Sequence, residues 1–292
     1  RFWSGCAGAV KHGLEIMGVG LLDVANNKCM MLRAHQTIGN SALKMRNKTL
    51  VEYYISVMKR YSKKLLSITD IVVADAFFST STFEKGMSEL GFYLVSRFRD
   101  NACLHYIPKR EKGRGRPRVK GDKIDLANLN LSCMEELHID GLDGKAYTLE
   151  AYAKALKKRV RLVIWRMPGG KCKLFFSTKL SMTGEEVLKT YRTRFQIEFC
   201  YRDSKQFTGL MDCQARHKSQ LDFAFNASFA SLNAAKVFMK DNGMDNSMAK
   251  VKSLMFNANY TKLIFDMSRC RPNRTLISKI VKELIGWQPK AA

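Results

Sequence analysis

The chain has 292 residues, 46% of them hydrophobic, which is enough apolar material for a sizeable core and excludes a disordered tail. Fifty Lys and Arg against 26 Asp and Glu leave a formal charge of +24, far beyond what solubility favours, so a polyanionic partner is expected. The longest apolar candidate, 222-DFAFNASFASLNAAKVFM-239, is interrupted by Asn226, Ser228, Ser231, Asn233 and Lys236 and reads as a buried helix, so no membrane partner is expected.

In chain order, 13-GLEIMGVGLLDV-24 and 28-KCMMLRAHQT-37 flank Asn26-Asn27 and predict a β-hairpin. Leu50, Tyr53, Tyr54, Val57, Met58 and Tyr61 recur at helical spacing, predicting a helix over about 41–65. A strand, 68-ITDIVVADAFF-78, comes next and carries Asp75. Ser81-x-x-Glu84 reads as a capping box opening a short helix that Gly91 stops, and 92-FYLVSRFR-99 reads as the next strand. Strand, helix and strand of this length make a right-handed parallel crossover, and ligands gather beyond the carboxyl ends of such strands. Asp75 lies at such an end, although a plain turn aspartate would satisfy the same pattern.

The run 109-KREKGRGRPRVKGDK-123 is rich in Lys, Arg and Gly and is expected to be an exposed loop. Beyond it, 144-GKAYTLEAYAKAL-156, 158-KRVRLVIWRM-167 and 171-KCKLFFSTKL-180 read as a small antiparallel sheet, with Trp165 packed in its strand. From Thr183 the pattern is helical through about Phe207, and the rest is mostly helical with Gly243 and Pro272 as breaks. Eight scattered Cys without C-x-x-C, and five dispersed His, fit neither a zinc knuckle nor a disulfide framework. Reduced thiols in a cytoplasm are the expectation.

Within that last helix, Tyr191, Arg194, Glu198 and Lys205 stand 3, 4 and 7 residues apart. On one continuous helix these steps bring the four side chains within roughly 60° of one another. Leu188, Phe195 and Phe199 fall on the adjoining strip, which would set a carboxylate ringed by cations at the margin of a core. An ordinary ion-paired surface helix satisfies the spacing equally well, since Arg194 and Glu198 are an i,i+4 pair.

These residues fit Y-x2-R-x3-E-x6-K, and the chain thereby resembles the DDE transposases of bacterial insertion sequences of the IS-four type. Two further stretches strengthen the likeness. The segment 71-IVVADAFFSTSTFEKGMSELGFYLVSRFR-99 is similar to that around the family's second catalytic aspartate. The opening 1-RFWSGCAGAVKHGLEIMGVGLLDV-24 resembles the stretch these enzymes carry just after their first catalytic aspartate.

The resemblance covers most of residues 1–240. It implies an α/β fold with a ribonuclease H-like catalytic core lacking its first strand, in residues 1–100 and 183–240. A basic β-rich insertion (101–182) would interrupt the core and a helical region (241–292) would close it. The family's first aspartate precedes the hairpin and has no matching residue here, so the chain is expected to be an N-terminally truncated fragment, inactive by itself. Asp23 matches a later strand and is assigned to turn or strand-end structure.

By resemblance, Asp75 and Glu198 are the catalytic carboxylates and hold Mg2+, for which Mn2+ can substitute. Oxygen donors suit such hard cations, and a two-metal site stabilises both the attacking and the departing oxygen. Tyr191, Arg194 and Lys205 would contact DNA phosphates. Arg114-Gly115-Arg116-Pro117 resembles the core of an AT-hook, and Arg114, Arg116 and Arg118 are candidate DNA-binding residues by phosphate contact or minor-groove insertion; a solvated loop is the alternative. The implied partners are double-stranded DNA, terminal inverted repeats, and a second copy in a homodimeric DNA complex, in a bacterial cytoplasm at the nucleoid. A non-enzymatic DNA-binding remnant, and an RNA-binding structural protein suggested by charge alone, are the rival readings.

Overall fold

The computed structural model describes residues 2–4, 8–108, 118–244, 247–269, 271 and 273–283. They group into two compact units. The first comprises Arg1–Leu14, Leu22–Lys28 and Ile38–Phe195; the second comprises Glu15–Leu21, Cys29–Thr37 and Gln196–Ala292.

Two short antiparallel strands, β1 (Phe2–Ser4) and β2 (Ala9–Lys11), open the chain. The expected hairpin is present as β3 (Ile16–Asp23) and β4 (Lys28–Gln36). At its turn the Asp23 carboxylate accepts from the Asn26 backbone N–H (3.0 Å) and from the Asn26 side-chain amide (2.7 Å). These bonds hold its pKa below the ordinary aspartate value. Asp23 is thus the last residue of its strand, with its carboxylate bonded into the turn, as its position in the sequence suggests.

In the first unit the expected helix divides into α1 (Asn40–Met45) and α2 (Leu50–Leu66). Asn47, at φ 48°, turns the chain between them. A reciprocal box starts α2: Glu52 N–H donates to the Thr49 hydroxyl and Thr49 N–H donates to Glu52. Then β5 (Ile71–Val73), α3 (Ser81–Glu89) and β6 (Tyr93–Arg97) form the expected crossover, with β5 and β6 parallel and Ile71 opposite Tyr93. Gly91 ends α3 at φ 91°, a conformation that costs glycine little.

The predicted capping box at Ser81 is corrected. The cap is Thr80, whose hydroxyl accepts from Phe83 N–H. Glu84 turns inward instead, 2% exposed, and Lys158 donates to its carboxylate at 2.7 Å.

The remaining strands are β7 (Leu104–Tyr106), β8 (Glu135–Leu137), β9 (Lys145–Ala153), β10 (Lys158–Arg166) and β11 (Cys172–Ser177). β9, β10 and β11 are antiparallel, as their alternation predicts. They do not close into a sheet of their own, because β11 pairs with β6, Phe175 opposite Arg97. The result is a seven-stranded mixed sheet ordered β5-β6-β11-β10-β9-β7, with β8 on β9, and the architecture is mixed α/β.

Helix α4 (Gly184–Thr193) lies on this sheet, where Val187 and Leu188 pack with Val95, Val163 and Phe175. Trp165 is a packed strand residue. Its ring stacks on Phe175, and its indole N–H donates to the Asp143 carbonyl at 2.7 Å.

In the second unit, α5 (Gln196–Phe207), α6 (Lys218–Asp241), α7 (Met248–Met267) and α8 (Arg274–Glu283) account for the helical C-terminal pattern. Gly243, at φ 60°, comes just after α6 as expected, and Pro272 lies outside the described residues. The polar residues that interrupt α6 in sequence are used. Asn233 takes the Met31 N–H on its carbonyl (3.0 Å) and gives its amide to the Met31 C=O (2.7 Å). Asn226 does the same for Ala34 (2.9 and 3.2 Å), and Lys236 donates to the Cys29 carbonyl (2.7 Å). Burial along β4 falls on Cys29, Met31 and then Ala34, a one-residue slip at Leu32–Arg33 of the kind a bulge produces. No described helix is long and apolar enough to cross a membrane.

Candidate functional site

Asp75 stands just past the last residues of β5, whose pairing extends to Ala74 through its N–H on the Val95 carbonyl (3.0 Å). The chain there turns into a single 3₁₀ turn, Ala76–Phe78, and Asp75 is its cap: Oδ1 accepts from Phe77 N–H at 2.9 Å. The fully buried Ser96 hydroxyl donates to the Asp75 carbonyl at 2.9 Å, and Ser79 donates to the Arg97 carbonyl at 2.7 Å. The backbone is therefore pinned at both ends of the turn while the carboxylate stays exposed. Its Oδ2 takes no hydrogen bond from the described residues. Asp75 is both things its sequence context allowed, a turn aspartate and a group at the carboxyl end of a parallel strand.

The helix carrying the Tyr-Arg-Glu-Lys spacing is not continuous, which corrects the expectation. A capping box starts α4, with Glu186 N–H on the Thr183 hydroxyl and Thr183 N–H on Glu186. The helix ends at Thr193, and α5 starts at Gln196. At the break the bonds tighten to i→i−3: Arg194 N–H reaches Tyr191 O (3.1 Å) and Phe195 N–H reaches Arg192 O (3.2 Å). The Thr193 hydroxyl donates back to the Lys189 carbonyl at 3.0 Å, a competing acceptor use that bends helices.

The break sorts the four residues into pairs. Tyr191 packs its ring against Phe175 (5.0 Å between centroids), and the Arg194 guanidinium lies 5.6 Å from the Tyr191 ring, within cation–π range. Glu198 and Lys205 are both exposed on α5, seven residues apart and so on one face. The first pair and Asp75 belong to the first unit, the second pair to the second. The adjoining apolar strip is uneven: Leu188 is buried, Phe199 is half-buried beneath the Arg202 guanidinium at 4.7 Å, and Phe195 is exposed.

Among the described residues no three His, Cys, Asp or Glu side chains gather as a metal site. The donors at Asp75 and Glu198 are exposed carboxylate oxygens, which is the chemistry a hard divalent cation requires.

Arg114 and Arg116 lie outside the described residues; Arg118 is described and exposed. It borders an open cleft of about 710 Å³ with Lys120, Asp122, Tyr152, Lys154 and Lys157. The end of the basic run is not a free loop. Gly121 N–H donates to Tyr106 O (2.8 Å), Tyr106 N–H to Asp122 O (2.9 Å) and Ile124 N–H to Leu104 O (2.9 Å), tying the segment along β7. Lys154 and Lys157 lie in the β9–β10 turn; in sequence the first falls inside the strand pattern of 144–156 and the second between that segment and the next. Their only signal was the charge of 154-KALKKR-159.

In comparisons with known proteins, no family model and no curated sequence matches the chain.

Proposed function

We propose that the chain is part of a DDE transposase of the IS-four type, built on a ribonuclease H-like core and acting in metal-dependent cleavage and transfer of DNA strands at insertion-sequence ends. The observation that carries this reading is Asp75. It is an exposed carboxylate with a pinned backbone at the carboxyl end of a parallel strand, within the very segment that resembles the family's second catalytic stretch. Glu198, exposed on α5 within the Y-x2-R-x3-E-x6-K spacing, is the second carboxylate.

Asp75 and Glu198 would hold Mg2+ or Mn2+, which when bound stabilises the attacking and leaving oxygens of a phosphodiester. Arg194, buttressed on the Tyr191 ring, presents a planar cation to a DNA phosphate. Lys205 offers a second cation on the face of α5 that carries Glu198. The +24 charge supports duplex DNA with terminal inverted repeats as partner, engaged by a homodimer.

The test is Glu198→Gln in a version that includes the family's first aspartate. The amide keeps the size and loses the charge, so strand cleavage in Mg2+ should vanish while end binding stays within a few-fold. Near-normal cleavage would return α5 to the reading of an ion-paired surface helix. Should the unsubstituted extended protein bind ends but cut none, the non-enzymatic remnant is the correct description.

A further inference from the structure

Only some of the cations on and around the seven-stranded sheet are paired. Lys158, Lys145, Arg161 and Lys179 are each matched to a carboxylate, on Glu84, Glu136, Glu150 and Asp70 respectively. Arg118, Lys120, Lys154 and Lys157 join none of the ion pairs among the described residues, and all four line one cleft with a single acid, Asp122. Like charges held together without counter-ions repel, and an anionic ligand removes that repulsion.

The cleft is assembled from rigid parts. Its floor residue Tyr152 sits in β9 between His105 of β7 and Arg159 of β10. On this face α4 covers the sheet only further along, where Gly184 lies so close to Thr148 that an added Cβ would come within 2.7 Å of it. One wall is the 118–122 segment tied to β7, where a side chain on Gly121 would meet the Tyr106 carbonyl at 3.0 Å. The other is the β9–β10 turn, where Lys157 occupies a left-handed conformation at φ 55°. Asn or Gly would sit there at less steric cost, yet the position carries a cation.

We infer that this cleft is a DNA-backbone site in which Lys120, Lys154 and Lys157, with Arg118 at the rim, take successive phosphates. The inference rests on the DNA reading above and adds to it a surface remote in sequence from both motifs. The Tyr152 phenol on the floor supplies a hydrogen-bond donor for a phosphate oxygen. An open cleft suits a continuous strand, whereas a small anion is held better by enclosure.

The experiment measures affinity of the 292-residue chain for a short duplex across salt concentrations, beside a variant carrying Lys120→Gln, Lys154→Gln and Lys157→Asn. Each lost phosphate contact flattens the slope of log K against log salt by about 0.9, so the variant should be flatter by up to about 2.7. Lys157→Asn alone suits the left-handed turn, so it keeps the fold while flattening the slope by about 0.9. If the parent binds duplex and both variants keep its slope, this cleft is not a DNA site and the reading of the catalytic carboxylates stands. If the parent binds no duplex, the DNA reading and the inference fall together. Inorganic tripolyphosphate is the third arm: it should compete only weakly. Tripolyphosphate binding the parent more tightly than duplex, and lost in the variant, would overturn the inference in favour of a small polyanion.

Discussion

The two margins of the seven-stranded sheet carry opposite charge imbalances. Beside β5, Asp75 stands exposed with no cation paired to it among the described residues; beside β7 and β9, four cations stand with no carboxylate paired to them. Elsewhere on the sheet some charges are matched, among them Lys179–Asp70 at 2.6 Å and Lys158–Glu84 at 2.7 Å, while Arg97, Arg159, Arg166 and Lys173 are spread along the strands. Matched charges are those the fold uses. Under the proposed function the unmatched ones serve something the chain meets, a cation at the first margin and phosphates at the second.

The sharpest way to break the comparison is to neutralise the first margin. Under the proposed transposase reading, Asp75→Asn in a version that includes the family's first aspartate should lower strand cleavage by at least about a hundredfold with DNA binding retained, because a carboxamide binds a hard cation poorly. Cleavage within a few-fold of normal would make Asp75 a turn residue only. Asp23 supplies the control. Its folded pKa is lowered by the Asn26 bonds, so its stabilising contribution is present above the ordinary aspartate pKa and is lost as pH falls through the lowered value. Asp23→Asn should leave cleavage intact and remove that acid-side dependence from thermal melts.

A smaller effect is expected from the basic run. Changing Arg114, Arg116 and Arg118 together to Ala should flatten the salt dependence of duplex binding by up to about 2.7 in slope, and an unchanged slope would assign these side chains to solvent. The smallest concerns a matched charge. Lys158→Met strands the buried Glu84 carboxylate and should cost about 2 kcal/mol in urea unfolding, below the usual cost of unpairing a buried charge because the Lys158 side chain is 43% exposed. DNA affinity should not change. A loss of binding larger than the loss of stability would show that paired and unpaired cations do not divide the work in this way.

Much of the fold was legible where local chemistry decides it. Asn26-Asn27 set the hairpin, Gly91 ended α3, and the alternation of residues 158–166 specified a strand with Trp165 packed. Three features were not legible, each for a physical reason. The cap of α3 is ambiguous in sequence because Thr80 and Ser81 both offer a hydroxyl; the structure places it at Thr80, with Glu84 turned inward onto Lys158, 74 residues away. The break at Arg194 is marked by i→i−3 backbone bonds and by a Thr193 hydroxyl turned back on the Lys189 carbonyl, neither of which periodicity registers. The pairing of β11 with β6 joins segments that a local pattern treats as separate. Of the candidate site, the motif residues could be read, but the cleft around Arg118 is made by a turn more than thirty residues further on.

The amides that α6 lends to β4 have a consequence for how this chain behaves in a crowded solution. A side-chain carboxamide sets an acceptor oxygen beside an NH2 donor, so its oxygen and one of its N–H groups can match a peptide unit. Seven residues of helix rise about 10.5 Å, nearly the length of three residues of strand, so Asn226 and Asn233 meet Ala34 and Met31 in step. The helix thereby stands in for a neighbouring strand. A bare strand edge is a template on which another chain can add, and the usual protections are charge, proline or a bulge. Here the outward backbone groups of β4 at these positions are already spoken for, which closes one route to edge-to-edge aggregation without asking the hairpin to surrender its apolar side chains.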